Sequence, residues 1–136
     1  MAARLGRKVL LYRHMPPRLW MVLDEAAIRR VVGGPVVMRA QLARLIEACE
    51  LPTVEIQVLP CAAGAHAAMG GPFTLLDYAD SALDPTVVYL DNDSSTLLLE
   101  EDRHVARYRL MFDHLMARAL GPDESASFLA RVADEN

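Results

Sequence analysis

A histidine in a glycine-flanked loop is the side chain of this sequence best placed to do chemistry. His66 lies in a stretch of small residues, 60–72, that also holds Gly64, Gly70 and Gly71. A neutral imidazole can act as an acid, a base or a ligand, and loops on a rigid scaffold often carry function. The alternative is that the ring caps a strand or bonds a backbone carbonyl and so fixes the loop. This alternative is favoured, because no Ser, Cys or carboxylate partner can be assigned to His66 from the sequence.

The glycines of this loop do not form a phosphate-binding motif. Neither a GxGxxG nor a GxxxxGK[ST] spacing is present, and no helical pattern begins where the loop ends. We expect the glycines to supply positive φ angles or a close backbone approach. Cys61, at the start of the loop, could act as a nucleophile with His66. A small, half-buried side chain is the favoured interpretation, because no neighbouring charge lowers the pKa of its thiol.

Acidic residues follow two predicted strands. Asp24 and Glu25 end the first strand, and Asp91 begins an acidic turn, 91–93, after the fourth. If these strand ends share one sheet edge, the carboxylates could form a cation site or an acid–base site. Asp-x-Asp is a weak signal, however, and turn residues that hydrogen-bond their own backbone are the favoured interpretation.

Aromatic residues mark a predicted ligand pocket, and no metal or cofactor site is predicted. Trp20, Phe73 and Tyr89 lie on or next to predicted strands, and together with His66 they are the predicted ligand-binding residues. Aromatic residues beside a strand are more often part of a core. The two cysteines are too few for a zinc cluster, and His104 and His114 lack the i,i+4 spacing with which two imidazoles bind one metal.

The first half of the chain has the pattern of a βαβ unit. Residues 3–13 predict a short helix, and residues 19–23 predict a strand buried on both faces. A helix is expected from Pro35 to about Glu50. Residues 53–59 alternate and predict a strand with one face toward a core. The two strands should be parallel, with a right-handed crossover.

The second half predicts an antiparallel meander followed by two helices. Residues 73–78, 86–90 and 96–99 have strand patterns joined by short polar turns. A long helix should follow Glu100–Asp102, and Gly121-Pro122 should end it and start another. The arginines of the long helix, 103, 107 and 118, are interpreted as a solvated face. The prediction is one α/β (α+β) domain over 1–136, built on a single mixed sheet of about five strands.

Composition excludes several classes of protein. The chain has 136 residues, 53% of them apolar, which is enough for a buried core and excludes a disordered tail. Fourteen Lys and Arg against eighteen Asp and Glu give a net charge of −4, which argues against sequence-independent binding of nucleic acid. No signal-peptide core and no membrane-length apolar run is present. With only two cysteines, a cytoplasmic location is expected.

Five sequence blocks in order resemble a known family. They are residues 17–30, residues 33–35 with 38–42, Val54 to Pro60, residues 64–66 with 71–75, and residues 108–110 with 112–113. This series resembles the uncharacterised, antitoxin-like C-terminal domain of Xre-type helix-turn-helix transcriptional regulators, a domain of unknown function. The family's DNA-binding module would precede Met1. The chain is therefore expected to be either a free-standing regulatory domain or a piece of a longer regulator.

The resemblance implies a regulatory domain that binds a small molecule or a protein partner, with a helix-turn-helix regulator as a partner in trans and no DNA contact of its own. The alternative is a small enzyme of secondary metabolism, of cyclase or isomerase type. Trp20 and Phe73 would then form the pocket wall. A third hypothesis is a homodimer formed through the C-terminal helices. The acid–base candidates of the enzyme hypothesis are His66, Asp24, Glu25, Tyr89 and Asp91.

Overall fold

The chain has a mixed α/β structure, as predicted, with its strands in two small sheets. The structure, a computed structural model, describes residues 12, 15–78, 85–91 and 94–136. Apart from residue 12, the predicted helix over 3–13 lies outside the described residues, as do Asn92 and Asp93 of the acidic turn. The described elements are β1 (Leu19–Asp24), α1 (Glu25–Arg29), α2 (Pro35–Ala48), β2 (Val54–Leu59), a 3-10 turn (Cys61–Ala63), β3 (Thr74–Leu76), β4 (Val87–Asp91), β5 (Thr96–Leu99), α3 (Asp102–Arg118) and α4 (Pro122–Asp134).

Backbone contacts divide the chain into two compact units. The first unit contains the described residues up to 62 together with 119–136, and the second contains residues 63–118. The first unit holds β1, β2, α1, α2 and α4, and the second holds β3, β4, β5 and α3. None of the described helices is long and apolar enough to cross a lipid bilayer.

The first unit contains the predicted βαβ arrangement. β1 and β2 are parallel and in register from Leu19–Val54 to Asp24–Leu59. Pro35 occupies the first turn of α2, where its missing N–H has no intrahelical acceptor. The short helix α1 was not predicted. It begins because the Asp24 side chain accepts a hydrogen bond from the Ala26 N–H, 3.1 Å away, which satisfies a free donor of the first turn.

The burial of the two parallel strands differs from the prediction. β1 was predicted to be buried on both faces, but its side chains are half-buried or exposed, and Trp20 is 46% exposed. β2 was predicted to bury one face, but five of its six side chains are buried, including Gln57. In the first unit, α4 packs against both β2 and α2. Its core comprises Ile28, Leu42, Val54, Ile56, Val58, Phe128, Leu129 and Val132.

The edge of β2 that does not pair with β1 is closed by the chain around the start of α4. The Leu120 N–H donates to the Val58 carbonyl at 2.9 Å, and the Ser125 hydroxyl accepts from the Val58 N–H at 2.8 Å. Both backbone groups of Val58 on this edge are therefore satisfied without a further strand. No further strand can therefore pair with β2 at Val58, and the strands form two sheets instead of the predicted single sheet.

The second unit is the predicted meander with one helix. β3 pairs antiparallel with β4, and β4 pairs antiparallel with β5, so the order is β3-β4-β5. α3 packs against β3 and β4. Val88 of β4 and Leu115 of α3 are buried, while the other members of the predicted helix stripe, such as Tyr108 and Phe112, are half-buried.

Candidate ligand-binding site

A cleft of about 690 Å³ lies within the second unit, and we call it the loop cleft. One wall is the backbone and small side chains of residues 67, 68 and 70–72. The opposite wall consists of the end of β4 and one face of α3. The residues that these two elements contribute are Leu90, Asp91, Arg107, Tyr108 and Met111. Its volume lies within the range of roughly 300–1,000 Å³ typical of small-molecule sites.

The start of the loop is fixed by an arginine from the end of α3. The Arg118 guanidinium donates hydrogen bonds to the carbonyls of Ala63 and Ala65. Gly64 lies between these two residues with φ +78°, a conformation that favours glycine. Arg118 was interpreted from the sequence as part of a solvated face. In the structure it ties the loop to the helix that forms the opposite wall.

His66 helps to shape the loop. Its Nδ1 accepts a hydrogen bond from the Ala68 N–H at 3.1 Å, and its carbonyl accepts from the Met69 N–H at 3.3 Å. The alternative in which the ring fixes the loop thus agrees with this geometry, although the bond is to a backbone N–H and not to a carbonyl. An Nδ1 atom that accepts a bond has no proton at that position, so in the neutral ring the proton is on Nε2.

The helix wall of the cleft contributes an aromatic ring, a thioether and a cation. Tyr108 and Met111 are half-buried and lie one turn apart on α3. The Phe73 ring packs edge-on against Tyr108, with ring centroids 5.0 Å apart. Phe73, a predicted ligand-binding residue, therefore supports the wall from behind. The Arg107 side chain forms no hydrogen bond or ion pair with any residue that the structure describes.

The strand wall brings one predicted acid–base residue to the cleft. Asp91 lies at the end of β4, where its carboxylate accepts a hydrogen bond from the Thr96 hydroxyl at 3.3 Å. Tyr89, two residues earlier on β4, is not among the described residues that line the cleft. Tyr89 is paired across the sheet with Thr74 and Leu98 instead.

Glu25 is an anchored carboxylate of the first unit. It accepts hydrogen bonds from the Cys61 N–H at 2.8 Å and from Arg29 Nε at 2.6 Å. The bond from the Cys61 N–H and the pair with Arg29 lower the pKa of the Glu25 carboxyl. Arg29 also bonds to Glu135 at 2.7 Å. Glu25 therefore joins α1 to the turn after β2, and its low pKa makes it a poor proton donor or acceptor near neutral pH.

Asp24 and Trp20 also make structural contacts within the first unit. Asp24 caps α1, which agrees with the favoured interpretation of a turn residue that bonds its own backbone. The Trp20 Nε1–H donates to the Gln57 side chain at 2.8 Å, and Gln57 donates to the Leu120 carbonyl at 2.9 Å. This relay satisfies the buried amide of Gln57. Asp24 and Asp91 belong to different sheets, so the shared sheet edge expected for an acidic cluster is not formed.

The two thiols have raised pKa values. Desolvation, followed by the carboxylates of Glu25 and Asp24, raises the pKa of the Cys61 thiol. Burial raises the pKa of Cys49. Since the thiolate is the nucleophile, neither thiol is activated. In the described part of the chain, no group of three or more His, Cys, Asp or Glu side chains is arranged to hold a metal ion.

Sequence patterns did not single out the α3 residues of the loop cleft. Arg107 was interpreted as part of a solvated face, Tyr108 as part of a core stripe, and Met111 received no role. Their spacing was a usable signal, because Met111 lies three positions after Tyr108 and four after Arg107, and residues at these spacings are neighbours on a helix surface. What the sequence did not provide was the packing of α3 beside the glycine loop.

The comparisons with known proteins identify a family. No curated protein and no solved structure matches the chain. Residues 1–131 match the family described as Domain of unknown function (DUF5753), which covers nearly the whole chain. The blocks noted in the sequence, from residue 17 to residue 113, lie inside this match. The chain therefore belongs to the DUF5753 family.

Proposed function

We propose that this protein is a regulatory domain that binds a small molecule in the loop cleft and does not contact DNA itself. The observation that carries the proposal is the cleft, in which Arg107, which has no hydrogen-bond or ion-pair partner among the described residues, lies beside an aromatic ring and a glycine-rich backbone wall. Sites for small molecules are concave and mostly apolar, with a few well-placed polar groups. The loop cleft is concave and combines apolar residues, Leu90, Tyr108 and Met111, with two charged groups, Asp91 and Arg107.

Binding is favoured over catalysis by the positions of the acid–base candidates. Of the five candidates, Asp91 lines the cleft. His66 bonds within its own loop, Tyr89 is not one of the described residues that line the cleft, and the hydrogen bonds of Glu25 lower its carboxyl pKa. General acid–base catalysis needs a donor and an acceptor that reach one substrate. The enzyme alternative, a cyclase or isomerase, therefore has one of its five candidates, Asp91, among the residues that line the cleft.

The regulatory role rests on the resemblance to domains of Xre-type helix-turn-helix regulators. In this proposal the chain works in the cytoplasm and conveys ligand binding to a DNA-binding module, in the same polypeptide or in trans. The antitoxin-like character belongs to the same proposal. The net charge of −4 supports a domain that leaves DNA contact to its partner. A gel-shift assay of this chain alone should show no DNA binding near physiological salt, and a specific nanomolar shift would contradict the proposal.

A thermal-shift screen against a panel of small metabolites tests ligand binding. Met111 lies in the cleft, so Met111→Trp should fill it and abolish the stabilisation that any ligand of the cleft produces. Leu110 is its neighbour on α3 and is 58% exposed, so Leu110→Trp is the matched control. A ligand present at 100 times its Kd stabilises by about 2.7 kcal/mol. If no compound stabilises the wild type, or if hits stabilise the Met111→Trp variant equally, the loop cleft is not the binding site.

A second candidate function, protein-partner binding, is favoured by a group of exposed valines in the first unit. Val31, Val32, Val36 and Val37 surround a glycine turn, and each is more than half exposed, with Val36 at 82%. Such apolar surface in a small protein marks an interaction site. Arg30, next to it in sequence, has no ion pair with a described residue. We propose that this valine surface binds an apolar segment flanked by acidic residues on a helix-turn-helix regulator.

Co-expression with the helix-turn-helix regulator encoded nearest to this gene tests the second function. Size-exclusion chromatography should show a complex with the wild type, and Val36→Asp should abolish it by placing a charge in the apolar contact. Leu110→Asp adds the same charge at an exposed position of α3 and should leave the complex intact. Co-elution that survives Val36→Asp would reject the valine surface as the interface.

A further inference from the structure

We propose that the ligand of the loop cleft is a zwitterion with an apolar body, of the chemical class of an apolar α-amino acid. This inference rests on the proposed function, because it concerns the same cleft. It follows from two charges of opposite sign that line the cleft without neutralising each other, and from the apolar side chains that accompany them.

Arg107 and Asp91 provide the two charges. Both line the cleft, yet no ion pair joins them to each other or to another residue in the part of the chain that the structure describes. Asp91 accepts one hydrogen bond, from the Thr96 hydroxyl, and a carboxylate can accept several more. A guanidinium pairs well with a carboxylate, often through two parallel hydrogen bonds. An ammonium group complements the carboxylate of Asp91 in the same way.

The apolar part of the cleft is formed by side chains from β4 and α3. Leu90, Tyr108 and Met111 line it, and Phe73 holds the Tyr108 ring in place. An unbranched thioether such as Met111 adapts to irregular apolar shapes and contacts aromatic groups favourably. A leucine-like or phenylalanine-like side chain fits this surface.

The presence of both charges argues against a ligand of one sign. A simple anion would pair with Arg107 and bring a second negative charge near Asp91, and a simple cation would face Arg107 in the same unfavourable way. A zwitterion satisfies both residues at once. Specificity of this kind arises as much from repulsion of the wrong ligand as from attraction of the right one.

Isothermal titration calorimetry of the full chain with three matched probes measures how much each charged group of the ligand contributes to binding. L-phenylalanine carries both charges, 3-phenylpropionate lacks the ammonium group, and 2-phenylethylamine lacks the carboxylate. L-leucine and L-methionine test the apolar body. Each charge-assisted hydrogen bond lost should weaken binding at least about tenfold, so both one-charge analogues should bind at least about tenfold more weakly than L-phenylalanine.

Two variants assign each charge to its residue. Arg107→Gln should remove the preference for the carboxylate, so that L-phenylalanine and 2-phenylethylamine bind this variant alike. Asp91→Asn should remove the preference for the ammonium group, so that L-phenylalanine and 3-phenylpropionate bind alike. Arg103→Gln is the matched control, because Arg103 lies on the same helix and its guanidinium bonds to Glu101 instead. It should bind all three probes as the wild type does.

The possible results distinguish this inference from the proposed function. If a one-charge analogue binds the wild type as tightly as L-phenylalanine, or if none of the amino acids binds, the zwitterion is rejected. A metabolite whose stabilisation depends on Met111 would, in that case, still support the cleft as a binding site. If no compound of either experiment binds, the cleft itself is rejected as a site. L-phenylalanine binding that survives both charge variants also overturns the inference.

Discussion

Ser125 is expected to contribute more to stability than any other hydroxyl group of α4, because it closes the edge of β2. It is fully buried, and its hydroxyl accepts from the Val58 N–H at 2.8 Å and donates to the Leu120 carbonyl at 3.2 Å. Ser125→Ala removes both bonds. The Leu120 carbonyl keeps the bond from Gln57, so the loss falls mainly on the Val58 N–H, which becomes a buried donor without an acceptor.

The expected effect is about 1.5 kcal/mol of unfolding free energy. Leaving a buried donor unsatisfied costs about 1–3 kcal/mol, so we take about 2 kcal/mol. Alanine has a higher helix propensity than serine, and this offsets about 0.5 kcal/mol of the loss in unfolding free energy. Ser127→Ala gains the same propensity at an exposed position of the same helix, so the difference between the two variants isolates the hydrogen bonds.

Urea denaturation followed by far-UV circular dichroism measures the effect. The urea midpoint of Ser125→Ala should fall while the slope of the transition stays unchanged. The unfolding free energy of Ser127→Ala should stay within about 0.5 kcal/mol of the wild-type value. Amide hydrogen exchange tests the hydrogen bond at Val58 directly, because the Val58 N–H should lose protection in the Ser125→Ala variant and keep it in the Ser127→Ala variant. If the two variants are equally stable and Val58 exchanges as slowly as in the wild type, this account of the β2 edge is wrong.

Three further predictions concern the core, a carboxylate and a glycine turn. Leu129→Ala should destabilise by about 2–5 kcal/mol in the same urea assay, because Leu129 is fully buried, whereas Leu110→Ala should stay within about 0.5 kcal/mol. The folded chain lowers the pKa of Glu25 from its ordinary 4.5, so its stabilising contribution is present above pH 4.5 and is lost as pH falls through the lower folded pKa. Glu25→Gln should therefore flatten the pH dependence of the unfolding free energy below pH 4.5. Gly33→Ala should lower Tm measurably more than Gly70→Ala, because Gly33 has φ +80° and a Cβ there would lie 3.0 Å from a valine methyl group, while Gly70 has open space around it.

Local patterns were sufficient to predict most of the elements. Pro35 and Pro122 marked the starts of two helices, since proline suits the first helical turn. The parallel pairing of β1 with β2 followed from the strand–helix–strand order, because a helical crossover returns the chain in the same direction. The division of the strands into two sheets did not follow. One part of it, the closure of the β2 edge, involves the hydroxyl of Ser125, 67 residues from Val58 in sequence, and no local pattern reports a contact of that kind.

The candidate site was only partly predictable for a similar reason. The glycine loop and Asp91 were recognised because glycine, histidine and aspartate stand out by residue type. Tyr108 and Arg107 did not stand out, since a helix of mixed charge and apolar residues presents several faces and the sequence does not say which one meets the loop. The hydrogen bonds of Arg118 to the loop carbonyls fix which face of α3 lies beside the loop. They join residues that are more than fifty positions apart in sequence.

The location of the cleft also bears on the proposed regulatory role. Of the twelve buried apolar side chains among the described residues, ten belong to the first unit, and the second unit has only Val88 and Leu115. We therefore expect local opening of the second unit to require less free energy than opening of the first. A ligand that packs against Tyr108 and Met111 adds apolar contacts where the protein itself has few. Under the proposed function, a ligand in the second unit would therefore change the conformational ensemble of the chain more than the same binding energy would in the well-packed first unit.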